Sequence, residues 1–511
     1  MLRKLTFESR IDPLHRARVL STFKRLTGDT ALYGLSSILG RVLNFILVPI
    51  HTEFMTKEEY GVNADLYSII AFLMVILTYG FETAFFRFSE KYKSKANLVY
   101  ATATRSIIIT TLLFFGLVFL VQDPILVAMR YTDHPEFLWM VLGIISADVI
   151  AAVPLAKLRS ARRAKRFVRN RLLVIFVNIA LNLVFFLLLP RLENVGGTVG
   201  SLATQLLAVD NLVIYVLLAN IISNVFMLLD LSPILWKIRK GFDSKIWKEM
   251  LRFSLPLMLA GLAGVANEMI DRQFIKYLLP AEESEAQLGI YSAIYKLSIA
   301  LVLFNQAFRY AAEPLFFSEG EKGTDRRVFA QILRAFTIVM CFGLVTVLAF
   351  ADPLKELFIR DSEFWVGMEI LPILLFANVF LGLNTNISIW YKLSDQTSYG
   401  ILVTGIGLFF TIALNLYLIP KIGIMGAAYA TLASYAAMAI SSYLFGQRHY
   451  PIPYPVRTIL FYLLISAVLG YLAFHYATAN YLVQVGCILA FASTVALKER
   501  KLLRIVRERM K

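Results

Sequence analysis

Fourteen apolar stretches of about 18 to 27 residues recur along the 511-residue chain, at 30–50, 62–84, 99–121, 137–156, 170–189, 209–231, 253–279, 288–311, 330–351, 366–389, 398–419, 424–445, 456–476 and 480–497. A helix needs roughly 20 such residues to cross a hydrocarbon core about 30 Å thick. Backbone polar groups find no partners in lipid, so a spanning segment is either a helix or a strand of a closed barrel, and a barrel alternates apolar and polar residues over about ten positions. These stretches do not alternate. The expected fold is an all-α polytopic membrane protein with about 14 transmembrane helices, and 58% hydrophobic against 17% charged residues excludes an ordinary soluble globule.

Basic residues set the orientation. Arg3, Lys4, Arg10, Arg16, Arg18, Lys24 and Arg25 precede the first stretch, and eight more lie between Lys157 and Arg171. Further clusters follow the second stretch (Arg87 to Lys95), the sixth (Lys237 to Arg252) and the last (Lys498 to Lys511), whereas the alternate loops hold only Lys57, Arg130, Arg191, Lys276, Lys355, Arg360 and Lys421. The positive-inside rule then places both termini and every even-to-odd loop in the cytoplasm. A net charge of +16 is accounted for by this one-sided distribution and by anionic membrane lipids; no nucleic-acid module accompanies it. Residues 1–28 lack an apolar core followed by a small-residue cleavage site, so the first spanning helix is expected to act as the insertion signal.

Connecting loops are short, with no Asp-x-Asp pair and no nucleophile beside a base, which points to transport rather than to a membrane enzyme or scaffold of polysaccharide assembly. No catalytic residue, cofactor or metal site is expected. Cys341 and Cys487 are solitary and intramembrane, and read as packing residues.

Charges at bilayer depth are costly, roughly 2.5–3.5 kcal/mol each on insertion scales, and are kept where they face a bundle interior or a water-filled path. The cationic candidates for binding an anionic substrate are Arg41, Arg272 and Lys296, with Arg105 and Arg309 close enough to a boundary to snorkel instead. Arg suits phosphate through bidentate contacts and Lys as a point charge. Glu82, Asp148, Glu268 and Asp271 are the acidic candidates for coupling transport to a proton or sodium ion. Glu268 and Arg272, spaced i,i+4, can equally form an internal ion pair, and Asp148, with no basic residue within a turn, needs a partner on another helix or a proton. Asn267, Asn384 and Asn386 can meet sugar hydroxyls or join helices, and Trp390 and Tyr391 are expected in the interfacial aromatic belt.

An internal repeat organises these segments. IALNL occurs at 179–183 and again at 412–416, an offset of 233 residues, each copy followed by a proline and a Gly-rich run; Lys157-Leu158 and Lys392-Leu393, and Arg41 and Arg272, fall at nearly the same offset. Two parallel six-helix repeats are expected, spanning 30–231 and 253–445, with a basic N-terminal segment (1–29), a cytoplasmic linker (232–252), two additional helices within 456–497 and a basic tail (498–511). Transporters built this way bind substrate near the midplane between the halves and rock one against the other.

Three longer runs carry a family resemblance: LGRVLNFILVPIHTEFMTKEEYGVNADLYS (39–68), the Asp271-Arg272 pair followed by GIYSAIYKL (289–297) and AFRYAAEPLFFS (307–318), and the WYKLSDQT turn (390–397). Over about residues 25–450 the chain resembles the polysaccharide transporters (Wzx-type oligosaccharide flippases) of the multidrug/oligosaccharidyl-lipid/polysaccharide exporter superfamily. That resemblance implies translocation of an undecaprenyl-diphosphate-linked oligosaccharide across the bacterial cytoplasmic membrane, with polysaccharide polymerase machinery as a partner downstream. Asp271, Arg272 and Lys296 match the family's motifs, and Arg41 a frequent basic position of its first helix. Fourteen helices are also a feature of lipid II flippases, so the substrate stands between a lipopolysaccharide, capsule or exopolysaccharide unit and a peptidoglycan precursor. The runner-up is an ion-coupled multidrug (MATE-like) antiporter, disfavoured because cationic drugs call for an excess of acids in the cavity.

Overall fold

A computed structural model describes residues 42, 45–193, 195, 197–207, 210–236, 238, 241–321, 325–476 and 480–500. All regular structure among them is helical. Twelve helices are long and apolar enough to cross a membrane, or thirteen when a pair bent by 49° is counted as one span. They match thirteen of the fourteen apolar stretches; the first stretch, with Arg41, lies outside the described residues except at its end.

One lobe contains α1 (Lys57–Thr78), α2 (Ala96–Leu120), α3 (Glu136–Ser160), α4 (Ala164–Leu183) and α5 (Val213–Leu235). The other contains α6 (Ser244–Leu278), α7 (Ala281–Leu297), α8 (Ile299–Glu321), α9 (Arg327–Ala349), α10 (Leu371–Ile387), α11 (Ser398–Ile422) and α12 (Ile424–His449), with α13 (Val456–Tyr476) and α14 (Tyr481–Lys498) packed against α9. Each lobe has its own apolar core; Phe81, Tyr100 and Phe137 anchor the first, Tyr291, Phe336 and Phe364 the second. Ile246 and Met250, at the start of α6, belong to the first core, so α6 runs along both lobes. It begins nine residues earlier than the apolar stretch suggests, because Asp243 caps it by accepting from the Lys245 and Ile246 amides. Half of the expected linker is therefore helix.

Local chemistry explains the irregularities. α1 runs into a second segment, Phe81–Lys91, across Tyr79 (φ 33°) and Gly80 (φ 74°), and Gly80 there approaches the backbone of Ser254 so closely that a Cβ would sit 3.0 Å from its carbonyl oxygen. The stretch 288–311, expected as one helix, is the bent pair α7–α8. At the bend the Ser298 hydroxyl donates to the Tyr295 carbonyl (2.7 Å) and accepts from Asn378 of α10 (3.1 Å), diverting a carbonyl from the helical ladder.

The two IALNL copies lie in α4 and α11, where Asn182 and Asn415 are both fully buried and both donate to the carbonyl four residues back, Asn178 and Thr411. Trp390 is 1% exposed and stacks on His449 above Gly446, so it is a packing residue of the second lobe and not part of an aromatic belt. Amphipathic surface tryptophans and buried ones share the same sequence context at a helix end, which is why the expectation fails here.

Candidate functional site

A cavity of about 400 Å³ lies between the lobes, and the spacing of polar residues along the helices shapes it. On α1, Tyr60, Asn63, Ala64 and Tyr67 fall at i, i+3, i+4 and i+7 and so share one face. Val174 and Asn178 of α4, Asn220 and Ser223 of α5, and His51 of a short helix, Val48–Phe54, complete this wall. The second lobe supplies Met269 and Arg272 from α6 and Ser292 and Lys296 from α7. Arg272 and Lys296 are charged, and no carboxylate is among the described lining residues.

The arginine is held in a fixed pose. Its Nη1 donates to Asp271 Oδ1 (2.9 Å) and to the main-chain carbonyl of Glu268 (2.9 Å), while its planar group lies 4.9 Å from the Tyr295 ring centroid. Asp271 is held in turn by its other oxygen, which accepts from the Tyr291 hydroxyl. The i,i+4 ion pair between the Glu268 and Arg272 side chains does not form: Glu268 contributes its backbone oxygen, and the buried counter-ion is Asp271. Lys296, one residue before the end of α7, lines the same space as His51. Arg272 and Lys296 thus bring two cationic side chains to one wall, and the attraction of such a group for an anion is stronger there than in water because the local dielectric is low.

The other candidates are distributed elsewhere. Arg105 is half-buried in α2 and does not line the cavity; Arg309 lines a separate small pocket with Phe308, Asn386 and Lys392. Asp148, within α3, does not line the cavity. Glu82 pairs with Arg159 at the end that carries the basic clusters. Both side chains are partly exposed, so Glu82→Gln should change stability by under about 1 kcal/mol, checked by thermal unfolding in detergent. Asn267 joins helices: it donates to the Thr404 carbonyl and accepts from Thr411 of α11.

A feature outside these candidates seals the end of the cavity opposite the basic clusters. Asp65 of α1 is completely buried and pairs with the buried ammonium of Lys276 on α6; Gln273 and Tyr131 donate to the same carboxylate. Beside this ion pair α1 and α7 touch main chain to main chain. A Cβ on Gly61 would lie 1.9 Å from the Glu285 carbonyl oxygen, and one on Gly289 would lie 1.8 Å from that of Lys57. Lys276 reads from sequence as a loop residue because it stands three residues before the end of an apolar stretch; in the folded chain it is interior, 1% exposed at its side chain. Removing one member of a buried ion pair costs roughly 3–5 kcal/mol. Asp65→Asn should therefore lower the unfolding midpoint sharply, and Asp65→Asn with Lys276→Met should recover most of the loss; an unchanged midpoint in the single variant would sink this reading of the pair.

Two apolar cores joined over a polar, cation-bearing cavity and closed at one end define a multi-pass membrane transporter of the two-lobed kind. Solved structures share the fold. A lipid II flippase, MurJ, in its inward closed conformation superposes with a TM-score of 0.68 at 13% identity, covering 92% of this chain and 99% of that one. An inward-facing multidrug resistance MATE family transporter of the MOP superfamily superposes at 0.59 with 16% identity, covering 80% and 94%. The family model "Polysaccharide biosynthesis protein" matches residues 26–318, more than half of the chain, and the chain belongs to that family. Among curated proteins, the probable low-salt glycan biosynthesis flippase Agl15 of Haloferax volcanii is 23% identical over 256 residues, so the match spans 50% of this chain and about half, 52%, of that relative.

Proposed function

We propose that this protein moves a lipid-diphosphate-linked oligosaccharide, carried on undecaprenyl, from the cytoplasmic to the outer face of a bacterial cytoplasmic membrane for cell-surface polysaccharide synthesis. The observation that carries the reading is the pair Arg272 and Lys296 on one wall of a cavity between two lobes. Membership of a polysaccharide biosynthesis family and likeness to a glycan flippase support the glycan. The positive-inside rule supports a cytoplasmic position for the end that carries the basic clusters, where anionic headgroups also attract them.

In this conformation Asp65–Lys276 and Gly61–Gly289 hold the outer end shut. Diphosphate binding between the lobes brings a charge that Arg272 and Lys296 share, and outward opening separates α1 from α6 and α7 while the lipid tail stays in the bilayer. Asp271 and Glu268, one and four residues before Arg272, take the coupling proton or sodium ion, which competes with Arg272 for Asp271. A cationic drug would meet like charge in the cavity, which disfavours the antiporter reading. The test is translocation in proteoliposomes with fluorescent undecaprenyl-diphosphate-linked sugar. Wild type should expose the label to quencher much faster than empty vesicles, and Lys296→Glu should remove that difference; a wild-type rate equal to that of empty vesicles would contradict the proposal.

A further inference from the structure

Among the described residues the cavity has two walls of unlike chemistry, and the cations lie on one of them. Facing Arg272 and Lys296 is a wall of neutral groups that can each donate and accept: Asn63, Tyr67, Asn178 and Asn220, on α1, α4 and α5. They are fixed by bonds that leave valences over. Asn220 Nδ2 donates to the Tyr67 hydroxyl (2.7 Å), which leaves its carbonyl oxygen; Asn178 accepts from Asn182 Nδ2 (3.2 Å), which leaves its own amide donors. Asn182 is held in place by His51, 2.9 Å away. The Asn63 carbonyl oxygen has no hydrogen-bond partner among the described residues although it is shielded from solvent.

An apolar tail against this wall would strand several amide dipoles, and a second anion would find no charged group among its described residues. Vicinal hydroxyls, each both donor and acceptor, match it, and Tyr60 and Tyr67 add aromatic side chains to the same lining. A volume of about 400 Å³ lies within the roughly 300–1,000 Å³ of small-molecule sites, so it takes a headgroup and not a long glycan.

We propose that the first lobe reads the sugar while the second holds the diphosphate: Asn63, Tyr67, Asn178 and Asn220 are specificity-determining residues for the sugar joined directly to the diphosphate. This rests on the function proposed above. Substrate then bridges the two lobes, and the groups that discriminate among glycans lie on the helices that part from the cationic wall when the outer end opens.

The experiment compares affinities of the purified full chain for undecaprenyl diphosphate bare, carrying galactose and carrying N-acetylglucosamine, by native mass spectrometry. Wild type should prefer at least one sugar-bearing lipid over the bare lipid by about tenfold or more. Asn178→Ala, Asn220→Ala and the conservative Tyr67→Phe should each reduce that ratio roughly three- to tenfold, the worth of one hydrogen bond. Retained Arg272-dependent binding of the bare lipid shows that each variant is folded. A wild-type ratio near one, or variants that weaken all three lipids equally, would overturn the assignment while leaving the diphosphate site standing. Failure of every lipid to bind would instead remove the proposed function itself, and the sugar-reading wall with it.

Discussion

Arg272→Ala should abolish the surface glycan while the protein reaches the membrane at normal abundance. The guanidinium is 8% exposed, and a bound phosphate would meet it out of bulk water, where truncating a hydrogen-bonded charge partner is worth roughly 2–5 kcal/mol, more than an order of magnitude in binding. The same substitution strands the buried Asp271 carboxylate, so the single variant mixes two effects. Asp271→Asn combined with Arg272→Ala separates them: if the stranded acid were the whole cause, export would return in the double variant, and the account expects it to stay absent. Arg272→Lys, which keeps charge but not the planar fork, should give an intermediate level. Normal glycan in Arg272→Ala would remove the anion site, and failure to reach the membrane would assign the residue to folding.

Gly61→Leu should prevent the outer end from closing. The Cβ alone would lie 1.9 Å from a main-chain carbonyl of α7, and a backbone atom cannot rotate aside as a flexible side chain can. The reciprocal contact at Gly289, 1.8 Å from the Lys57 carbonyl, makes Gly289→Leu an independent second case. Either variant should raise labelling of a Ser292→Cys reporter on the cavity wall by an impermeant maleimide applied outside cells, by tenfold or more, and should stop export. The native thiols, Cys341 and Cys487, are buried, so background labelling is low. Labelling and export at wild-type levels in both variants would show that α1 and α7 do not form the seal.

The fold was legible because bilayer crossing imposes a length and an apolarity that few other constraints mimic. All thirteen stretches that lie within the described residues became helices, and the misplacements came where side chains override the apolar pattern: Asp243 extending α6 into the linker, and Ser298 with Asn378 breaking the span at α7–α8. The cationic wall was also legible, since Arg272 and Lys296 stand out against apolar neighbours. The seal was not. Asp65 and Lys276 each lie within a few residues of a segment end, where charge is unremarkable, and only their meeting across lobes marks them. Gly61 and Gly289 carry no signal until the helices that cross there are known. The neutral wall escaped notice for a related reason. Asn63 and Tyr67 share a face of α1, yet amides are tolerated in membrane helices and draw less attention than charges.

The most direct measurement is competition at the cavity between lipids that differ by a single phosphate. Undecaprenyl diphosphate and undecaprenyl monophosphate are offered to the purified wild-type protein and to the Arg272→Ala and Lys296→Ala variants, with bound lipid counted by native mass spectrometry. The account predicts that wild type favours the diphosphate by at least tenfold and that each variant loses most of that preference. Equal binding of the two lipids by wild type, or a preference untouched by both substitutions, would contradict a diphosphate site between the lobes.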